Sequence, residues 1–465
     1  MFRRVLIANR GEIALRILRA CRDMEIETVA VYSTADADAL HVQLATHGVC
    51  IGPPKAADSY LNANALIQVA RSTHCDAIHP GYGFLSENAD FSDACAREGI
   101  TFIGPTGEVI RKMGSKSAAR SLMMANGVPV VPGSKGAVTA DTIGDIAQEI
   151  GYPVLIKASA GGGGRGMRRV YAPEELLPAF SAAQSETIAC FGDDEMYLEK
   201  LVEHPRHIEF QIMADSQGNV VHLGERDCSI QRKNQKLMEE SPSKALTPEL
   251  RRRMGAHAIA AARAAHYVGA GTIEFVLSPT GEYYFIEMNT RIQVEHPVTE
   301  MVCSVDLIRE QLRVAAGLSL SFTQEEIVQQ GWAIECRINA EDPFRDFAPC
   351  PGTASFIHFP AGCGVRVDSA LYTGYSLSPY YDSMVAKVIV HGNSRLEAIR
   401  RMRRALEELI IEGFTTTAEL NYLILHHPAF VRGSYDTSFL DTELPELMEW
   451  NAVGAGLEPA KEVRP

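Results

Sequence analysis

The sequence predicts an α/β protein, α+β overall, of roughly three domains with a doubly wound parallel sheet at its N-terminal end. A chain of 465 residues is too long for a single hydrophobic core. Its first hundred or so residues alternate short apolar runs with helix-length segments, the pattern of parallel strands joined by crossover helices. Further on, charged and amide residues recur at every second position inside β-rich stretches, as they do on strands that keep one polar face.

Composition narrows the function. Hydrophobic residues at 46% and charged residues at 22% are the balance of an ordinary soluble protein. The net charge of −14 argues against non-specific nucleic-acid binding, which needs a basic surface, so an anionic substrate must be held by locally placed Lys and Arg. Ten scattered cysteines contain no C-x-x-C pair, which argues against zinc sites and disulfides and fits a reducing cytoplasm. No apolar run reaches membrane-spanning length, and the first nine residues turn polar too soon for a signal peptide.

The first unit opens with Val5-Leu-Ile-Ala8 as a strand, and Ile13, Ile17, Cys21 and Met24, with Leu18 beside them, recur at helical spacing. Glu27-Thr-Val-Ala-Val-Tyr32 completes a βαβ unit, strand-like runs return at Ala77-Ile-His79 and Thr101-Phe-Ile103, and the unit closes near Pro105. Its connector His79-Pro-Gly-Tyr-Gly-Phe-Leu-Ser-Glu-Asn88 is either a substrate loop or a tight strand-to-helix turn.

A helical pattern over 116–126 is broken by Gly127-Val-Pro-Val-Val-Pro-Gly133. Tyr152-Pro-Val-Leu-Ile-Lys-Ala158 reads as a strand carrying Lys157, followed by Gly161-Gly-Gly-Gly-Arg-Gly166 and a further strand over 167–170. Gly161, Gly163 and Gly166 satisfy G-x-G-x-x-G literally, but a dinucleotide fingerprint must open a helix, and helical character returns only near Pro173. A glycine hairpin whose amides close over phosphates, with Lys157 supplying charge, fits better; a plain surface loop is the alternative. Met196-Tyr-Leu-Glu-Lys-Leu-Val202 reads as a strand leading out of this small unit, and its last four residues are a candidate hinge and base-binding segment. His207 follows, and then Arg226, Arg232, Lys233 and Lys236 form a basic run, either a solvated face or part of a phosphate site.

Gly271-Thr-Ile-Glu-Phe-Val-Leu277 reads as a strand, and a four-residue turn at Pro279-Thr-Gly-Glu282 sets Glu274 opposite Glu287. Two acids so placed need a proton or a cation between them. From there Glu287, Asn289, Arg291, Gln293 and Glu295 share one face if the chain stays extended. The first two are oxygen donors suited to Mg²⁺, and the other three could hold a small anion and accept its proton; a solvated sheet face is the alternative. A helix over 306–316 turns Leu307, Ile308, Leu312 and Ala315 inward, and Ala333-Ile-Glu-Cys-Arg-Ile-Asn-Ala-Glu341 is a strand with Glu335, Arg337 and Asn339 on one face. A strand over 382–390 and a basic amphipathic helix over 394–411 follow, and the tail from 447 is expected to be disordered.

Taken together, Ala8-Asn-Arg-Gly-Glu-Ile13, His79-Pro-Gly-Tyr-Gly-Phe84, the Lys157 strand with its glycine loop, Glu225-Arg-Asp-Cys-Ser229, Glu287-Met-Asn-Thr-Arg-Ile-Gln-Val-Glu-His296 and Glu335-Cys-Arg-Ile-Asn-Ala-Glu-Asp342 resemble biotin carboxylase, an ATP-grasp enzyme. The resemblance runs from Phe2 to Leu440. It implies an N-terminal doubly wound domain (1–114), an ATP-grasp lid (115–203), an ATP-grasp catalytic sheet (204–330) and a C-terminal biotin carboxylase domain (331–446). The ATP residues it implies are Lys116, Lys157, Gly163, Gly164, Glu199, Lys200, Val202, His207, Gln231, Asn234, Glu274 and Glu287, with Mg²⁺ or Mn²⁺ on Glu274, Glu287 and Asn289. Lys236, Arg291, Gln293 and Val294 match the bicarbonate pocket, Glu295 its base, and Arg337 the residue that steadies biotin. At Asn234 the family's usual motif has His; Asn still hydrogen-bonds but cannot become cationic.

The resemblance further implies a cytoplasmic homodimer that works on biotin borne by a separate carrier protein, the biotin carboxyl carrier protein, with carboxyltransferase subunits completing an acetyl-CoA carboxylase. The expectation of a separate subunit rests on finding no Met-Lys-Met biotinylation site after Leu440. A pyruvate, propionyl-CoA or urea-type carboxylase is the neighbouring alternative. An ATP-grasp ligase joining a carboxylate to an amine, and a non-catalytic subunit of a carboxylase complex, are alternatives of other classes.

Overall fold

The computed structural model describes residues 1–134, 136–158, 166–192 and 194–454. At the N-terminal end, His47–Gly52, Glu27–Ser33, Arg4–Ile7, Ala77–His79 and Thr101–Phe102 lie side by side in that order, all parallel. The helix Gly11–Asp23 buries Ile13, Ile17, Leu18 and Cys21 as their spacing predicts. The strand order reverses between Arg4–Ile7 and Ala77–His79, so the segments leaving their carboxyl ends diverge and open a crevice. Asn9, Arg10, Tyr82 and Gly83 line the site from there.

A small antiparallel sheet of Arg168–Val170, Val154–Ala158 and Met196–Lys200 carries the helix Pro173–Phe191 on one face and has its own apolar core around Ile156, Phe180 and Leu198. The expected glycine loop, including Gly163 and Gly164, lies outside the described residues.

The large sheet has eight strands in the spatial order Tyr283–Asn289, Gly269–Leu277, Arg206–Ala214, Val220–Arg232, Gln235–Ser241, Trp332–Asn339, Met384–Gly392 and Val365–Ser369. Gln235–Ser241 pairs with Trp332–Asn339, so one sheet draws strands from both sides of residue 330. Helices Pro248–Ala264 and Arg395–Glu408 pack on different parts of it, each over its own apolar core.

Two expectations are corrected. The tail is helical rather than disordered from 447 to 454: Phe439–Gly454 is one helix, anchored by the fully buried Leu447. The alternating stretch 287–295 is not one strand. Extended structure stops at Asn289, and 290–295 form an irregular loop that enters the helix His296–Cys303, where Pro297 is tolerated in the first turn.

Candidate functional site

A cavity of ≈ 1120 Å³ opens between the small sheet, the large sheet and the N-terminal crevice. Glu274 stands opposite Glu287 as expected, by a different route. The turn is one residue tighter in register, with Leu277 facing Tyr283, and a register shift between Phe275 and Glu274, with Ile286 as the extra residue, restores the pairing. The bulge thus decides that two acids meet.

Glu274 is buried and densely partnered. Its Oε1 accepts from Asn289 Nδ2 at 2.8 Å, Gln293 Nε2 at 2.9 Å and Lys236 Nζ at 3.3 Å, and its Oε2 lies 3.1 Å from His207 Nε2. Burial alone would raise its carboxyl, but Lys236 and His207 hold it well below the ordinary range. Glu287 behaves in the opposite way. Burial and the charge of Glu274 push its carboxyl up, and among the described residues no cation touches it, Lys116 and His207 acting only at longer range. A buried acid beside a second, ionised acid and facing a cavity is a site a divalent cation fits, so Glu274 and Glu287 suit one. Asn289 is the weaker member, since its Oδ1 already accepts from Arg291 Nη2 at 3.0 Å.

Glu295 occupies the end of the loop, 2% exposed. Its Oε1 accepts from Lys236 Nζ at 2.7 Å and its Oε2 from Arg337 Nη2 at 2.9 Å, so one carboxylate bridges two cations from two strands. Against the burial that would raise it, Lys236 and Arg337 keep this carboxyl down at about 2. Lys236 also pairs with Glu209, and Arg337 donates to Glu239 through Nε at 2.6 Å. Arg291 is held by Glu87, 2.9 Å from its Nε, and Glu87 also accepts from the Thr290 amide at 3.1 Å. The connector 79–88 makes the strand-to-helix turn the sequence allowed, with Asn88 capping the helix Ala89–Arg97; Tyr82, Gly83 and Phe84 line the cavity and Glu87 braces the loop. Gln293 and Val294 lie on that loop, with Gln293 Oε1 accepting from Arg226 Nη2 at 2.5 Å.

Across the cavity, Lys157 pairs with Glu199 at 2.7 Å, and Arg120 reaches the same carboxylate at 3.2 Å. Lys116 is half-buried, and desolvation lowers its ammonium. Lys200 directs its ammonium away, to the carbonyl oxygens of Gly151 and Tyr152 at 2.9 and 2.8 Å. Val202, His207 and Gln231 line the cavity. His207 is raised to about 10: burial would lower it, but the charge of Glu274 together with hydrogen bonds to Glu209 and Glu274 outweighs that.

The basic run 226–236 separates into different roles. Arg226 is fully buried and holds Glu209, Gln211, Thr272, Gln293 and Thr299, while Arg232 and Lys233 turn to Asp346, leaving Lys236 as the cation at the cavity. Lys233 and Asn234 form the two-residue turn between paired Arg232 and Gln235, both with positive φ, at 48° and 64°. Asn is among the residues that tolerate this conformation best, which gives Asn234 a structural reason as well as a place on the cavity rim.

Sequence reasoning missed Glu209, Glu239, Glu87 and Glu12. Glu209 had a signal, since it alternates with His207 and Gln211 on one strand face. Glu239 had none. The register shift between Ile230 and Gln231, with Leu237 as the extra residue, changes the strand's parity, so Lys236 and Glu239 join one chain of ion pairs although three apart.

A small lid over an antiparallel sheet, with paired acids and cations in the cavity between them, defines an ATP-grasp ligase. The chain matches the family model for the biotin carboxylase N-terminal domain over residues 1–110, that for the ATP binding domain of the carbamoyl-phosphate synthase L chain over 115–323, and that for the biotin carboxylase C-terminal domain over 335–442. It belongs to the biotin carboxylase family, whose activity is the ATP-dependent carboxylation of biotin. It is 56% identical over 444 residues to biotin carboxylase 1 of Bacillus subtilis (95% of this chain, 99% of the relative) and 58% identical over 440 residues to the biotin carboxylase of a Nostoc species (94% and 98%). It is 53% identical over 442 residues to a pyruvate carboxylase subunit of Methanothermobacter thermautotrophicus (95% and 90%). Among solved structures, the biotin carboxylase domain dimer of Hydrogenobacter thermophilus 2-oxoglutarate carboxylase, in complex with MgADP, ADP and bicarbonate, superposes with a TM-score of 0.92 at 49% identity, covering 96% of this chain and 99% of that one. A Campylobacter jejuni biotin carboxylase in a β,γ-ATP complex gives 0.92 at 48%, covering 95% and 99%.

Proposed function

We propose that this chain catalyses the first half-reaction of an acetyl-CoA carboxylase, carboxylating biotin on a separate carrier protein through carboxyphosphate. The observation that carries the reading is the bridging of Lys236 and Arg337 by Glu295 inside the cavity. ATP takes the side walled by the lid: Lys116 and Lys157 meet its phosphates together with the amides of Gly163 and Gly164, the backbone of 199–202 meets its base, and His207, Gln231 and Asn234 complete the pocket. Lys200 contributes through its backbone there, its ammonium being committed elsewhere. Glu274 and Glu287, with Asn289, hold Mg²⁺ or Mn²⁺, which when bound neutralises charge on the transferring phosphoryl group.

Bicarbonate takes the pocket of Lys236, Arg291, Gln293 and Val294. Glu295 is kept weakly basic by its two cations, and an arriving anion that shares them raises its carboxyl toward the ordinary range, so it becomes able to accept the bicarbonate proton as the nucleophile forms. Attack on the γ-phosphate gives ADP and carboxyphosphate, whose breakdown yields CO₂ and phosphate. That phosphate removes the ureido proton of biotin, and Arg337, charged at any working pH, stabilises the resulting anion on the ureido oxygen.

The test is ATP turnover in Mg²⁺ with bicarbonate, with and without free biotin. ADP and phosphate release that requires bicarbonate and rises with biotin is expected; turnover indifferent to both would sink the reading, and stimulation by an amine would point to another ligase. The likeness to part of a pyruvate carboxylase and to a 2-oxoglutarate carboxylase domain favours a second reading of the acceptor. Transfer from carboxylated carrier to acetyl-CoA rather than to a 2-oxo acid, with the transferase subunits supplied, separates the two. The domain limits 1–114, 115–203, 204–330 and 331–446, homodimeric assembly and a cytoplasmic location belong to the same proposal; among the described residues no helix is long and apolar enough to cross a membrane.

A further inference from the structure

Lys387 lies in the strand Met384–Gly392 with its side chain 0% exposed, beyond the residues of the site just described. Burying an ammonium carries a desolvation penalty of several kcal/mol, and an apolar side chain of similar length would pack there at least as stably, so its presence calls for a specific partner. Three groups face its Nζ from three parts of the fold. The carbonyl oxygen of Val294 accepts from it at 2.7 Å, Glu12 Oε1 of the N-terminal helix lies 3.2 Å away, and Asp368 Oδ2 of the edge strand lies at 4.0 Å. Glu12 in turn accepts from the hydroxyl of Tyr82 on the cavity wall.

We infer that Lys387 is a positioning residue for the bicarbonate site, acting through the Val294 carbonyl. The loop 290–295 has no regular hydrogen-bond ladder of its own. From the cavity side it is braced by side chains: Glu87 on Thr290 and Arg291, Glu274 and Arg226 on Gln293, and Lys236 and Arg337 on Glu295. From the opposite side Lys387 holds the backbone. Because the peptide unit is planar, fixing the Val294 carbonyl fixes the plane from which Glu295 departs, and with it the distance between the base and the anion it must deprotonate. Glu12 balances the buried charge and ties the same cation to the wall that bears Tyr82, so the loop and the N-terminal crevice are set by one group.

The inference rests on the bicarbonate assignment above, and the experiment separates the two. Lys387→Met removes the donor and keeps the aliphatic volume; Lys387→Met/Glu12→Gln also removes the carboxylate left without its cation; Glu12→Gln alone is the control for the second change. In both variants lacking Lys387 the bicarbonate KM should rise by about ten- to hundredfold, the worth of a charge-assisted hydrogen bond, while the MgATP KM stays within about twofold. Thermal stability should fall in Lys387→Met and recover in the double variant without recovery of the bicarbonate KM. Recovery of that KM together with stability, or an unchanged KM in Lys387→Met, would overturn the inference while leaving the site assignment standing. Wild-type turnover that ignores bicarbonate would overturn the assignment itself, and the inference with it.

Discussion

Glu239 and Glu335 stand directly opposite each other on neighbouring strands of the large sheet, at 1% and 0% exposure. Both oxygens of Glu335 and the Oε2 of Glu239 are buried without a hydrogen-bond partner among the described residues. Burial pushes Glu239 up to about 7 and Glu335 well above the ordinary range, and for Glu335 the charge of Glu239 adds to it. Around Glu335 the charged groups are Lys387, Glu239, Arg337 and Glu295, with Tyr82 close by. Glu274 and Glu287 repeat the same opposition but face the cavity, where a cation can enter. Neither Glu239 nor Glu335 lines that cavity, and of the two Arg337 is bound to Glu239 alone.

That difference predicts a stability profile. A carboxyl whose folded value is raised keeps a proton that the unfolded chain releases, so its contribution is full below the ordinary value of 4.5 and is lost as pH climbs toward the raised value. Glu335→Gln removes this loss. Melting curves from about pH 5 to about pH 9 should show the variant gaining on the wild type as pH rises; a difference that does not change with pH would take the proton away from this pair.

In the proposed mechanism Glu295 and Arg337 act at successive steps. Glu295→Ala should slow every bicarbonate-dependent event by ~10²–10⁴-fold, the range of an ordinary general base. Arg337→Ala should abolish carboxybiotin yet keep a slow bicarbonate-dependent ATP hydrolysis, as carboxyphosphate decomposes unused. Phosphate release and carboxybiotin yield measured side by side decide the matter, and equal losses in the Arg337 variant would refute its separate role.

Glu287→Gln should raise the Mg²⁺ concentration needed for ATP use while leaving the fold intact, because one of two facing carboxylates loses its charge. A metal titration of turnover checks this, with unchanged dependence removing Glu287 from the metal site.

At the turn, Asn234→His should alter apparent ATP affinity more than turnover and change stability by no more than about 0.5 kcal/mol, since the site is exposed and His also accepts positive φ. Asn234→Val should be clearly less stable, because a β-branched residue resists that conformation. Turnover moving alone in the His variant would place Asn234 nearer the chemistry.

Arg226 should prove structural. Its replacement by Ala leaves the fully buried Glu209 short of a partner and should lower stability by about 3–5 kcal/mol, a loss a denaturant titration reads directly. Full stability with impaired ATP binding would return Arg226 to the phosphate site.

The sequence by itself determined the parallel N-terminal sheet and the Lys157 strand, because each follows from local periodicity; it also set Glu274 opposite Glu287, but the bulge at Ile286, not the turn it relied on, brings the two together. It also marked Lys236, Arg291, Glu295 and Arg337 through the family resemblance carried by their motifs. Tertiary structure decided what they touch. The alternation from Glu287 to Glu295 promised one extended face, yet the chain leaves the sheet after Asn289, since Pro297 favours the first turn of a helix and the loop finds its partners in distant Glu87, Arg226 and Lys387. Two register shifts, at Ile286 and at Leu237, set which side chains meet across the large sheet. A bulge follows from the fit of neighbouring strands rather than from the composition of one. For the same reason Lys387 and Glu12 lay hidden: a buried charge is defined by partners that only the folded chain brings within reach.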